Sequence, residues 1–181
     1  MAAGSSIHNF QIILSDIERE VYETFTLQVA RHDSELLDST VLKALAYCLE
    51  FEERLELTRG LDDPEVPALW SHDLTGRLMR WIEVGSPSAA KLHKACKKVS
   101  RVTIYPYRDP ENLRQQLKAD KIYKSELIEI VSFDPDFLPD LLSFTEKRNR
   151  WELTVSEKIL YLGDGTNSVS TSIIRQSIAT P

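Results

Sequence analysis

Two cysteines in a chain of 181 residues rule out a scaffold built on disulfides. Cys48 and Cys96 each fall on the apolar side of an expected helix, so buried, reduced thiols and a cytoplasmic location are expected. Long hydrophobic runs are missing as well: none approaches the ~20 residues that cross a bilayer, and no membrane partner is expected. The opening MAAGSSIHNF has neither a basic start nor an extended apolar segment, which argues against a secretory signal. His8, His32, His72 and His93 lack any zinc-type spacing. No repeat, low-complexity tract or linker divides the chain, so one domain over residues 1–181, acting as a monomer, is expected. Acids are absent altogether between residues 84 and 108, a stretch that holds six bases: Lys91, Lys94, Lys97, Lys98, Arg101 and Arg108.

What is present describes an ordinary water-soluble core, with 42% hydrophobic and 28% charged residues. The net charge of −6 opposes a protein whose whole surface grips nucleic acid. The signs are nevertheless segregated, because residues 50 to 65 carry seven acids against two arginines just ahead of the basic stretch. Such segregation places either a phosphate-attracting face beside a cation-attracting one, or two solvated surfaces of opposite sign.

Hydrophobic periodicity supplies the elements. Residues 10–14 and 22–29 form an expected hairpin; in the second strand Phe25, Leu27 and Val29 alternate with Thr24, Thr26 and Gln28. Asp33 and Ser34 are positioned to cap a helix over 35–51 with one buried stripe through Leu37, Val41, Leu42, Leu45, Cys48 and Leu49. A short strand at 55–58 ends at Gly60, and Pro64 and Pro67 exclude a regular interior element between 62 and 67. A long strand over 74–84, bent at Gly76, precedes a Gly-Ser-Pro-Ser break and a helix over 89–99. A strand at 102–105, a polar helix at 111–121, a strand at 127–133 and a helix at 137–147 follow. A last hairpin over 151–174 turns at Gly163-Asp164-Gly165. The expected fold class is mixed α/β: one domain, a mixed and largely antiparallel sheet with flanking helices, and terminal hairpins.

Glu83 stands out chemically, a carboxylate inside the apolar run Trp81-Ile82-Glu83-Val84. Burying an unpartnered ion is costly, so this group is expected to be paired, to bind a cation, or to face a cleft at a strand end. Pairing with Arg59 across the sheet is one such arrangement. Glu35, in a first helical turn, is alternatively accounted for by the helix dipole. Lys91 fits a solvated flank, and Trp70 and Trp81 fit a core.

The order helix, strand, strand, helix, strand between Glu35 and Tyr105 resembles metal-dependent nucleases of the PD-(D/E)XK type. The chain is also similar to the YaeQ family. The residues carrying that likeness are Ala30-Arg31-His32, Ser34-Glu35, Ala44 through Tyr47, Glu53-Arg54-Leu55 and Thr58-Arg59-Gly60-Leu61. They continue with Pro67-Ala68-Leu69-Trp70, Trp81-Ile82-Glu83-Val84-Gly85 and Lys94-Ala95-Cys96. The resemblance implies a nuclease-like core with a modified site. In the nuclease pattern, carboxylates hold Mg²⁺ through oxygen, and an acid and a lysine two residues apart on one strand face the same phosphate. Here Glu83 matches the strand acid, Gly85 stands where the lysine belongs, Ala68 replaces the first acid, and Ser86 stands where many relatives have glutamine.

Three functional expectations follow. In the first, Glu35, Glu83 and Lys91 carry Mg²⁺-dependent phosphodiester hydrolysis on nucleic acid. Glu35 and Glu83 would hold the metal, Asp63, Glu65 or Asp73 would stand in for the lost acid, and Lys91 would replace the missing lysine. In the second, Arg59, Lys91 and Lys94 bind nucleic acid without chemistry. In the third, the scaffold serves as a protein-interaction module.

Overall fold

The structure, a computed structural model, describes residues 4–59, 63 and 65–179. Two compact units interleave along the chain: residues 1–51 with 133–173, and residues 52–132 with 174–181. Each unit is built around its own sheet, where the sequence reading expects one sheet with terminal hairpins.

The first unit begins with β1 (Ser5–Asp16) and β2 (Val21–His32), an antiparallel pair of 12-residue strands in continuous register. The alternation expected for this hairpin holds: Phe10, Ile12 and Leu14 are buried on β1, and Leu27 and Val29 on β2. Helix α1 (Leu37–Leu49) packs on this pair and is stapled by its C-terminal end to the hairpin turn. There Arg19 donates to the carbonyls of Cys48 and Phe51, both at 3.0 Å, while its Nε holds the buried Asp16 at 2.6 Å. Asp33 and Ser34 do not cap α1; the helix starts after Leu36, which makes no side-chain capping bond. The helix expected over 137–147 is only α4 (Phe137–Ser143), because β8 (Arg148–Ser156) begins soon after it. β8 runs parallel to β1. The expected last hairpin is a meander of β8, β9 (Ile159–Gly163) and β10 (Ser168–Ser172), giving the order β10-β9-β8-β1-β2. Its first turn uses Glu157 and Lys158, both at positive φ (53° and 61°), and Asp164 closes the second by accepting from the backbone of Thr166 and Asn167.

The second unit contains β3 (Leu55–Leu57), β4 (Leu69–His72), β5 (Leu78–Val84), β6 (Arg101–Tyr105), β7 (Ile128–Ser132) and β11 (Ile174–Ser177) in the order β11-β7-β6-β5-β4-β3. The long strand expected at 74–84 begins only at Leu78, as β5; residues 73–77 are the turn of the β4–β5 hairpin, tied by Asp73 accepting from the backbone of Thr75 and Arg77. The expected strand stop at Gly60 lies outside the described residues. β5, β6 and β7 are parallel and linked by α2 (Ala89–Lys98) and α3 (Pro110–Ala119), so both connections are helical crossovers. The helices cover one sheet face: Trp81, Val102, Ile104, Ile128 and Ile130 pack with Leu92, Ala95, Cys96, Val99, Leu113 and Leu117. Ser88 caps α2 by accepting from the Lys91 backbone at 3.2 Å. Cys48 and Cys96 are free and buried, one in each unit.

Candidate functional site

Glu83 is the next-to-last residue of β5, and period two places it on the same face as Trp81, under α2. It is only 5% exposed. The β5–α2 connection then returns Lys91 over the strand end in the first turn of the helix. Lys91 Nζ lies 2.9 Å from Glu83 Oε1 and 3.2 Å from Oε2, and Trp81 Nε1 donates to Oε1 at 2.7 Å. Burial pushes the Glu83 carboxyl above its ordinary value, and the Lys91 and Trp81 hydrogen bonds offset that only in part. Arg59 is not the partner: β4 separates β3 from β5, and Arg59 follows β3 as an exposed residue.

Gly85 leaves no room for a side chain at the end of β5. Its φ is +97°, and a Cβ built there would sit 2.6 Å from the Tyr107 ring. No side chain can occupy position 85 while Tyr107 fills that space. The ammonium group beside Glu83 arrives from six residues downstream, on α2.

The other expected site residues have partners of their own. Asp63 is exposed and its carboxylate accepts from the Glu65 backbone at 2.9 Å, a local turn. Glu65 forms ion pairs with Lys94 and with Lys98, the latter at 3.6 Å, so one carboxylate serves two ammonium groups. Asp73 is engaged by its own hairpin turn. Glu35 belongs to the first unit and precedes α1 instead of sitting in its first turn. Its carboxylate accepts from His32 N at 2.9 Å, Ser39 Oγ at 3.2 Å and Lys43 Nζ at 2.8 Å. Partial burial opposes its charge, but these hydrogen bonds prevail and its pKa is lowered.

Sequence reasoning missed Lys43 and the polar role of Trp81. Both were accessible from spacing: Glu35, Ser39 and Lys43 recur at helical steps of four, and Trp81 and Glu83 are two apart on a strand. Tyr107 carried no such signal.

Mg²⁺ takes oxygen ligands in a near-octahedral set. Around Glu83 both carboxylate oxygens already accept hydrogens, and an ammonium group stands where a cation would. Among the described residues no group of three or more His, Cys, Asp or Glu side chains could hold a metal ion. The donors around Glu83 do not fit a Mg²⁺ centre. What the arrangement does provide is a closed acid next to a lysine-rich helix.

Comparison with known proteins places this architecture. The chain is 24% identical over 174 residues to the uncharacterized protein YaeQ of Escherichia coli (strain K12), covering 96% of each. Against the Salmonella typhi protein of the same name it is 26% identical over 170 residues, covering 93% of this chain and 94% of the other. The crystal structure of YaeQ protein from Pseudomonas syringae superimposes with a TM-score of 0.85 at 28% identity, covering 94% of this chain and 95% of that one. The YaeQ protein from Xanthomonas axonopodis pv. citri shares the fold with a TM-score of 0.86 at 22% identity, covering 96% and 99%. A family model described as YaeQ protein matches residues 1–173, and the chain belongs to the YaeQ family.

Proposed function

We propose that this protein binds nucleic acid through the basic face of α2 without cleaving it, on a scaffold of the nuclease type whose acid has been closed off. The observation that carries this reading is the Glu83–Lys91–Trp81 cluster, in which the buried carboxylate is already neutralised and hydrogen-bonded. Both oxygens of that carboxylate are engaged, and an ammonium group stands beside it in the place of a catalytic cation. It does fix α2 against the strand end, in the region where open parallel sheets present ligands.

α2 supplies the attraction. Four lysines project from it, and the acids that meet them are Glu83 and Glu65, so positive charge is left over. Lys94 and Lys98 are exposed, and their pairing with the exposed Glu65 is a weak, screened interaction that phosphate can replace. Each phosphate contact of this kind steepens the salt dependence of binding by roughly 0.7–0.9 in log–log slope.

Fluorescence anisotropy with labelled DNA and RNA at several salt concentrations tests the proposal. Binding should weaken steeply as salt rises, should be unaffected by Glu83→Gln, and should drop with Lys94→Ala. Metal-dependent hydrolysis, with Glu83 and Lys91 as reacting groups, makes the opposite demand. Cleavage in the presence of Mg²⁺ or Mn²⁺ that vanishes in Glu83→Gln would replace our reading with that one.

A further inference from the structure

The lysine-rich face of α2 continues onto the loop that follows α3. Residues 118–124, KADKIYK, hold three lysines and a single acid, Asp120. Two of those lysines, Lys121 and Lys124, take positive φ values of 47° and 53° without being glycine. Between them the chain turns Ile122 inward, where it joins the core cluster, and turns Tyr123 outward, where it remains 47% exposed.

The outward ring is held in place. The Tyr123 backbone N–H donates to His93 Nδ1 at 3.2 Å, which makes Nδ1 the acceptor and leaves any ring proton on Nε2. The two rings lie 5.8 Å apart at 55°, so His93 of α2 supports one side of Tyr123. Lys124 Nζ stands 5.4 Å from the Tyr123 ring centroid. Lys97 lies one helical turn beyond His93, on the same flank of α2. Lys97, Lys121 and Lys124 form no ion pair among the described residues, unlike Lys91, Lys94 and Lys98.

An exposed aromatic ring braced by His93, with the Lys124 ammonium over it and the unpaired Lys121 and Lys97 nearby in the loop and on α2, suits an unpaired base with its phosphates. Bases stack on aromatic rings whatever their sequence, and a duplex hides the faces that such stacking needs. Lys124 rests on the ring through a flexible stem, and an arriving base can take its place while the ammonium moves to the neighbouring phosphate.

We infer that Tyr123, braced by His93 and flanked by Lys97, Lys121 and Lys124, is a stacking platform for single-stranded nucleic acid. The inference rests on the nucleic-acid-binding reading above and gives it a strand preference and an anchor residue.

The test compares native protein, Tyr123→Ala and Tyr123→Phe by anisotropy, using labelled single strands of about twelve nucleotides and the matching duplex at low salt. Circular dichroism and thermal melts establish that both variants fold. Native protein should prefer the single strand, Tyr123→Ala should weaken that binding roughly 5- to 100-fold, and Tyr123→Phe should stay close to native. Native binding that Tyr123→Ala leaves unchanged, or that favours the duplex, overturns the platform while leaving nucleic-acid binding intact. Absence of binding to either probe at the lowest salt overturns both.

Discussion

At the scale of single residues, Glu83 and Gly85 are the informative positions. Removing one member of a buried ion pair leaves the other uncompensated, at a cost on the order of 3–5 kcal/mol when burial is complete. Lys91 is 18% exposed, so Lys91→Met should fall near or below the bottom of that range, at about 2–3 kcal/mol in urea denaturation. The double substitution with Glu83→Gln should recover most of the loss. Gly85→Ala should destabilise by roughly 1–3 kcal/mol, because it combines left-handed backbone with a clash on the Tyr107 ring. Shortening that ring with Tyr107→Ala should not rescue the backbone part of the penalty. A melt of Gly85→Ala equal to that of native protein would contradict the geometry at this turn.

Among the elements, α1 depends on one arginine. Arg19 joins the buried Asp16 to two carbonyls at the C-terminal end of the helix, so Arg19→Ala removes three hydrogen bonds and leaves Asp16 buried with fewer partners. A loss of about 2–3 kcal/mol is expected, readable as a lower denaturation midpoint. Elements of this kind were legible in proportion to their periodicity. The β1–β2 hairpin and α2 with its Ser88 cap show regular alternation or a helical stripe, and sequence places them to within a few residues. β4 was hidden, since Leu69–His72 is four residues long and follows the proline-bearing segment. β11 was hidden for another reason: Ile174–Ser177 is a mostly exposed edge strand without alternation. The candidate site was legible as a list of charged residues but not as pairings. Lys91 was visible as a lysine in the first helical turn after the Glu83 strand, whereas the engagement of Asp63 and Asp73 by their own turns depends on backbone geometry that composition does not carry.

For the whole molecule, the half-buried Glu35 and the buried Glu83 pull stability in opposite directions with pH. Glu35 has a lowered pKa in the folded state, so its contribution is complete above the unfolded carboxylate value and fades as pH falls towards the folded one. Glu83 has a raised pKa, so its ionised form costs stability as pH climbs from the unfolded carboxylate value through the folded one. As pH falls below about 4, the deficit in melting temperature of Glu35→Gln relative to native should therefore shrink, while as pH climbs above about 4 the melting temperature of Glu83→Gln should gain on native. Parallel curves for both variants would reject these assignments. The fold and the family are those of YaeQ proteins, and the carboxylate of Glu83 is closed off by Lys91 and Trp81.

Calorimetric titration of Mg²⁺ and of Mn²⁺ into native protein and into Glu83→Gln tests that description most directly. With the Glu83 oxygens committed to Lys91 and Trp81, native and variant should give the same heats, with no binding that depends on Glu83. Stoichiometric metal binding by native protein that disappears in Glu83→Gln would show an open metal site and contradict the account.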